Sequence, residues 1–459
     1  MSKEPYKKII IFITSFIVWS LLTIEWASIW FKYYNDIILR PFGYKGNYLV
    51  FTVYGIILFF FSQIYGAYRI GYYKRSDVIL SNFIAIVLTN LITYLQTCLI
   101  GRAIMNSIPF FEMTIIDFLL IWIWSGLANQ LYQKLYPPHQ ILVIYGENKS
   151  AESLIYKMNS RAERYDICEV ISIDHGLDSV FERINSYNAV IICDVKSEYR
   201  NQILKYCYKN SIRVYLTPKI SDAIVRGADN IHLFDTPLLL CRNYGLTFEQ
   251  RFIKRAMDIF IACISLIAFS PMIAIISIAI KLYDGGPVFY KQERLTRNGK
   301  IFEIYKFRSM IVDAEKEYGA CLAFENDARI TPIGKIIRKI RFDEIPQIFN
   351  ILKGDMSIVG PRPERPVIAA EYEKRIPEFD YRLKVKAGLT GYAQVLGQYN
   401  TTPYDKLKLD LMYIESYSLI LDIKLILMTI KILFIKDSSK GISKEDKILK
   451  EDQEDKTII

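Results

Sequence analysis

Five long apolar runs constrain this chain more than anything else in it. Four fill the first third, at roughly Ile9 to Ala27, Tyr48 to Tyr65, Val78 to Ile100 and Met113 to Leu131, and a fifth extends from Ile259 to Ile280. Each is near the ~20 residues that a helix needs to cross the hydrocarbon of a bilayer. A membrane protein is therefore expected, and the positive mean hydropathy and 52% hydrophobic content of the 459-residue chain agree. Lys3, Lys7 and Lys8 precede the first run, Arg69, Lys74 and Arg75 separate the second from the third, and Lys134 follows the fourth. Cytoplasmic flanks carry the excess of Lys and Arg, so both ends of this four-helix transmembrane region, residues 1–136, are expected in the cytoplasm. The first run is too long for a signal peptide and lacks a cleavage-site pattern.

The fifth run is of another kind. Lys254 and Arg255 precede it, and Lys281, Lys291, Arg294, Arg297 and Lys300 follow it, so both flanks call for the same side of the membrane. Ser270-Pro271 falls at its middle, where proline removes a backbone hydrogen bond and clashes with the preceding turn. Two readings follow: a re-entrant helix over 255–281 that enters and leaves on one face, or a kinked fifth span.

After Pro137-Pro138 the pattern changes. "ILVIYG", "AVIICDV" and "IRVYLTP" look like buried strands, and "SAESLIYKMNS" looks like a helix between them. This alternation predicts a parallel, Rossmann-like α/β domain over 137–249. Gly146 is the only glycine of "GENKSA", where a dinucleotide fingerprint needs GxGxxG, so a structural or regulatory role is expected there rather than cofactor binding. Residues 437–459 are charged, nearly free of core formers, and read as a disordered tail.

Charge separates the two halves. Residues 251–436 hold 29 Lys+Arg against 21 Asp+Glu, a balance of +8, whereas residues 139–250 hold 13 against 14. Such a surface attracts nucleic acid, anionic headgroups or phosphorylated substrates, and only the last two fit beside long apolar runs. The seven cysteines are scattered and never in CxxC spacing, which gives neither a disulfide framework nor a zinc site. None of the three histidines, His139, His175 and His232, lies in the basic half, which argues against histidine-based catalysis there.

Two helices of the basic half suit a membrane surface. "TPIGKIIRKIR" has Thr331 as an N-cap and Pro332 at the first helical position, with Ile333, Ile336, Ile337 and Ile340 on one face and Lys335, Arg338, Lys339 and Arg341 on the other. It reads either as an interfacial helix or as an amphipathic core helix with a solvated basic face. "SLILDIKLILMTIKILFI" carries Asp422, Lys424 and Lys431, which fits an interfacial or packed helix better than a span.

Adjacent carboxylates, Asp343 and Glu344, stand in "RFDEIPQIFNIL", with Pro346 placing them near a helix start. Capping a helix dipole is the ordinary explanation for such a pair. Arg338 upstream, Arg362 and Arg365 in the proline-fixed "GPRPERP", and the glycine-rich "KAGLTGYAQVLGQYN" point instead to phosphate. Arginine forks grip phosphate oxygens, and adjacent carboxylates beside phosphate call for a divalent cation such as Mg2+. A carboxylate can itself attack phosphorus.

Taken together, "KRAMDIF", the mid-run "SP", "GGPVFYKQERLTRNGKIFEIYKFRSM", "RFDEIPQIFNILKGDMSIVGPRPE" and "AGLTGYAQVLGQYN" resemble the bacterial sugar transferase family, the monotopic polyprenyl-phosphate phosphoglycosyl transferases. The likeness covers about residues 250–436, and the leading helices with an α/β domain resemble the large members that initiate exopolysaccharide, capsule and O-antigen synthesis. It implies an α-rich catalytic domain over 250–436 with a re-entrant membrane helix, broken at Ser270 and Pro271, and amphipathic interfacial helices. It implies that Asp343 attacks the β-phosphate of a UDP-sugar and releases UMP. Undecaprenyl phosphate then takes the sugar phosphate from the aspartyl adduct. In the same way Glu344 assists with Mg2+, and Lys306, Arg308, Arg338, Arg362 and Gln398 match substrate- or phosphate-binding positions. Hexose-1-phosphate, from UDP-glucose or UDP-galactose, is the expected cargo, with an N-acetylhexosamine phosphate or a catalytically silent scaffold as competing readings. The setting implied is the bacterial inner membrane with the α/β and catalytic domains in the cytoplasm. Membrane lipids are partners, nucleic acid is not, and homo-oligomer formation is left open. Thr296, Tyr392 and Gln398 depart from the residues common at those positions, and Gln398 removes a possible phosphate contact.

Overall fold

The computed structural model describes residues 4–38, 41–241, 245–312, 327, 329–397 and 401–433. Gln398, Cys321 and the tail 437–459 lie outside them. The chain divides into two compact units between Thr217 and Pro218.

The first unit opens with four long helices, α1 (Lys7–Tyr33), α2 (Tyr44–Tyr65), α3 (Arg75–Gly101) and α4 (Ile108–Leu135). All four are long and apolar enough to cross a membrane. Their facing sides bury Trp26, Trp30, Tyr34, Tyr54 and Phe110, while Phe12, Phe16, Ile24, Leu95 and Phe111 point outward. A bundle that is apolar on both faces suits lipid, where helix contact rests on packing and on polar links such as Asn90 Nδ2 to Asp117 Oδ2 at 3.2 Å. After it comes a layer of β1 (His139–Tyr145), α5 (Asn148–Asn159), β2 (Tyr165–Ser172), α6 (Leu177–Ile184), β3 (Ala189–Cys193), α7 (Ser197–Lys209) and β4 (Arg213–Leu216). The sheet is parallel with order β2-β1-β3-β4. Ile141 to Ile144 and Ala189 to Ile192 are buried from both faces, as a parallel sheet covered by helices requires.

The second unit begins earlier than the sequence suggests. The helix α8 (Ile220–Arg226) packs on the helix Pro403–Glu415, and at Gly227 an added Cβ would meet the Glu415 backbone at 2.7 Å. Residues 218–240, placed by pattern with the α/β domain, therefore fold with the basic half. The antiparallel hairpin β5 (Asp229–Leu233) and β6 (Thr236–Leu240) follows. The unit is then organised around one helix of 37 residues, α9 (Phe248–Asp284), started by a Thr247–Gln250 capping box and containing Pro271. Its two arms are anchored on the same body of residues. Near the start, Lys254 pairs with Asp422 at 2.6 Å, and the Asp258 carboxylate accepts from Ser357 Oγ and Ile358 N, both at 3.0 Å. Near the end, Ile276 and Ile280 pack with Phe307 and Ile337, and Asp284 holds the Arg308 guanidinium. Between these anchors Phe260, Ile264, Ile267 and Ile275 are exposed.

Candidate active site

The dyad sits where three short elements meet. β7 (Phe289–Leu295) and β8 (Ile301–Phe307) form an antiparallel hairpin in which Tyr290 faces Lys306. The helix Pro332–Lys339 is capped as expected, Thr331 Oγ1 accepting from Gly334 N at 2.9 Å. Gly334 is required there, because a Cβ would lie 2.0 Å from the Ser309 carbonyl. That contact seats the helix at the end of β8. Arg341 then adopts a left-handed conformation, φ 55°, and turns the chain into a 3-10 turn over Phe342–Glu344. A bulky residue held there stores strain of order 1 kcal/mol.

The ordinary explanation for the carboxylate pair does not hold. The following helix, Gln347–Lys353, has Pro346 at its N-cap with no side-chain capping bond, and Asp343 and Glu344 belong to the turn before it. Asn350, fully buried on that helix, accepts from Tyr305 N at 2.9 Å and donates to the Glu303 carbonyl at 2.7 Å. This ties the helix to the strand that carries Lys306.

Lys306 Nζ donates to Glu344 Oε1 at 2.8 Å, and Arg362 Nη2 donates to the same oxygen at 3.1 Å. Burial works to raise the Glu344 pKa, but these two cations outweigh it and hold the carboxyl well below its usual range. Asp343 goes the other way. Burial raises it, Lys306 opposes, and the Glu344 charge beside it adds to the rise. Two neighbouring carboxylates with divergent pKa values are the mark of divided roles. Glu344 is fixed as an anion by its neighbours, while burial leaves the Asp343 carboxylate the more basic of the two.

The other expected residues are placed as follows. Arg338, half-buried, contributes positive charge that favours ionised Asp343. Arg308 is buried, with Nη1 on Asp284 Oδ2 and Nε on the Pro287 carbonyl, each at 2.7 Å. Its fork closes the end of α9 onto β8. Ser270 and Pro271 lie mid-way along α9, and the neighbouring Phe269 ring meets Phe342, next to Asp343, at 6.3 Å. The dyad is thus brought beside the exposed apolar part of that helix. Sequence reasoning missed Arg294 and Arg382, which hold the loop of Arg362. It also missed the buried Lys254–Asp422 pair, for which the only signal was an acidic residue inside an apolar helix.

For Mg2+, the dyad offers two carboxylates, the donor type that the ion takes beside substrate phosphates. Among the described residues no group of three or more acidic, His or Cys side chains gathers to hold a metal, at the dyad or away from it.

The profile of the bacterial sugar transferase family matches residues 249–436, which contain the dyad, Lys306, Arg338 and Arg362. The UDP-N-acetylgalactosamine-undecaprenyl-phosphate N-acetylgalactosaminephosphotransferase of Aeromonas hydrophila is 30% identical over 425 residues, 89% of each chain. The chain belongs to the bacterial sugar transferase family. The UDP-glucose:undecaprenyl-phosphate glucose-1-phosphate transferase of Escherichia coli K12 is 37% identical over 211 residues, 45% of this chain and 44% of that one. The undecaprenyl-phosphate galactose phosphotransferase of Salmonella typhimurium LT2 is 35% identical over 243 residues, 49% and 50%. These sugar transferases share undecaprenyl phosphate as acceptor and a sugar phosphate as cargo, and differ in the sugar.

Proposed function

We propose that this sugar transferase moves a sugar-1-phosphate from a UDP-sugar to undecaprenyl phosphate through Asp343, as the initiating step of a surface polysaccharide. A carboxylate oxygen of Asp343 attacks the β-phosphorus, the bond from that phosphorus to the bridging oxygen breaks, and UMP leaves. A phosphate oxygen of undecaprenyl phosphate then attacks the same phosphorus, and the Asp343 carboxylate departs. The observation that carries this reading is the split dyad: Glu344 pinned by Lys306 and Arg362, Asp343 kept basic by burial. Lys306, Arg362 and Arg338 supply positive charge where phosphate must approach a carboxylate. Asp343 and Glu344 would hold Mg2+, which neutralises phosphate charge when bound.

Both anchors of α9 fall on one compact unit, and its exposed apolar middle lies between them. By length and apolarity α9 could also cross the bilayer, but Lys254 and Arg255 before its apolar run and Lys281, Lys291 and Arg294 after it call for the same side. This favours the re-entrant reading, with the catalytic unit on the cytoplasmic face of the inner membrane and the dyad at headgroup height. In a variant cleared of native cysteines, single cysteines at the exposed positions Glu249 and Tyr283 should then react with a membrane-impermeant thiol reagent from the same side, and opposite-side labelling would leave a span.

UMP release from a panel of UDP-sugars tests the reaction. One donor class should release UMP only when undecaprenyl phosphate is present or in a single-turnover burst; no release from any donor would favour the scaffold. UDP-glucose and UDP-galactose are the expected hexose donors. The near full-length match to an N-acetylgalactosamine-phosphate transferase favours UDP-N-acetylhexosamine as the second reading, and the panel separates them.

The pH profile gives a separate check. Asp343 must be ionised to attack, so kcat/KM falls as pH drops through its raised pKa. Lys306 opposes that rise, so in Lys306→Met the acid limb should move to higher pH. An acid limb that stays in place would show that the Lys306 charge does not act on Asp343.

A further inference from the structure

Arg362 reaches Glu344 from a loop with no regular structure, and its side chain is 44% exposed. What fixes it is the backbone of that loop. Every carbonyl from Pro361 to Glu364 accepts from outside. Gly388 N donates to Pro361 O at 2.9 Å, Arg382 Nη2 to Arg362 O at 2.9 Å, Arg294 Nη1 to Pro363 O at 3.1 Å, and Leu295 N to Glu364 O at 3.0 Å. Two of the four donors are guanidinium groups. Arg382 is 4% exposed and pairs with Asp410 Oδ2 at 2.7 Å and with Glu364 at 3.6 Å. Arg294, approaching from β7, also bonds Gln292 Oε1.

Burying such groups is costly. Burial pushes the Asp410 carboxyl up to about 6 even beside Arg382, and brings the Arg294 guanidinium down to about 10. A hydrophobic filling of the same volume is often as stable as a buried ion pair or more so, which makes stability a weak reason to keep one. Donating to a chosen carbonyl is a different task. It suits a rigid fork, whereas lysine offers only a mobile point charge.

Resting on the phosphoryl-transfer reading above, we propose that Arg294 and Arg382 are positioning residues. They clamp consecutive carbonyls of the 361–364 loop and so aim Arg362 at Glu344 and the donor's diphosphate. Neither touches Glu344 in the structure, so their effect on the reaction passes through Arg362. Without the clamp the Arg362 fork samples several directions, and part of the donor's binding energy goes into ordering it.

The test is a mutant cycle on the full-length protein in lipid nanodiscs, read by UMP release from the best donor of the panel. Arg382→Met and Arg294→Met should each raise KM for the UDP-sugar about tenfold and leave KM for undecaprenyl phosphate within about twofold. In an Arg362→Ala background the same changes should add less than about twofold, because the residue they aim is gone. Arg382→Lys, which keeps the charge beside Asp410 but lacks the fork, should behave like Arg382→Met. Equal losses with and without Arg362, equal effects on both KM values, or full rescue by lysine would each overturn the proposal. Should Arg382→Met fail to fold, the Arg294→Met cycle decides alone. A wild type that releases no UMP from any donor refutes the underlying reaction instead.

Discussion

Replacing Asp343 with asparagine should abolish UMP release from every UDP-sugar, by about 10^3-fold or more. The amide keeps the shape of the side chain and loses the nucleophilic oxygen, and removal of a covalent nucleophile typically costs on that order or above. Folding should be little disturbed, because the Asp343 side chain lies in a 3-10 turn and burial already disfavours its charged form. A neutral group there relieves a desolvation cost. The measurement is UMP release per mole of protein together with the unfolding midpoint: lost turnover with an unchanged or raised midpoint fits the assignment. Turnover within about tenfold of wild type would show that another group attacks. Glu344→Gln should differ, because it leaves Lys306 and Arg362 without the anion that draws them together.

The largest stability effect is expected at Lys254. Its side chain is 7% exposed, with the ammonium 2.6 Å from Asp422, which is fully buried, and Tyr413 Oη donates to the same carboxylate at 2.8 Å. Lys254→Met leaves that carboxylate without its cation, which costs about 3–5 kcal/mol where a buried pair is broken from one side. For a unit of this size that lowers the unfolding midpoint by about 10 °C. Lys254→Met combined with Asp422→Leu should recover most of the loss, because the two charges leave together. A single variant within about 2 °C of wild type would show that water reaches Asp422. The pair also joins α9 to the helix Leu419–Leu433, so the single variant should loosen the arm that carries the apolar middle of α9.

Much of this architecture was legible because it follows from local rules. The four N-terminal helices bracket the apolar runs, Thr331 and Pro332 begin their helix as capping chemistry requires, and "ILVIYG" and "AVIICDV" are strands. β2 was missed because Tyr165–Ser172 alternates apolar residues with Asp166, Cys168 and Glu169, unlike the continuous runs on either side. The unit boundary at Thr217 was missed because α8 belongs to the second unit only through contact with a helix almost 200 residues later. The candidate site divides in the same way. The carboxylate pair and Arg362 stand out as motifs. The divergence of Asp343 from Glu344 depends on Lys306, nearly 40 residues away and brought in by a hairpin. Arg308 has the residue type of a phosphate ligand, yet its partner is Asp284, a contact made only when α9 folds back on β8. Arg294 and Arg382 bond backbone carbonyls, and no pattern of residue types marks a carbonyl acceptor.

The most direct measurement follows the phosphorus itself. Protein mixed with donor labelled in the β-phosphate, without acceptor, and quenched in acid within one turnover should carry about one label per active site on the peptide Phe342–Lys353. Borohydride reduction of that adduct should convert residue 343 to homoserine. Undecaprenyl phosphate added before the quench should chase the label into lipid. A label on any other peptide, or its passage to lipid with no protein-bound stage, would contradict the account.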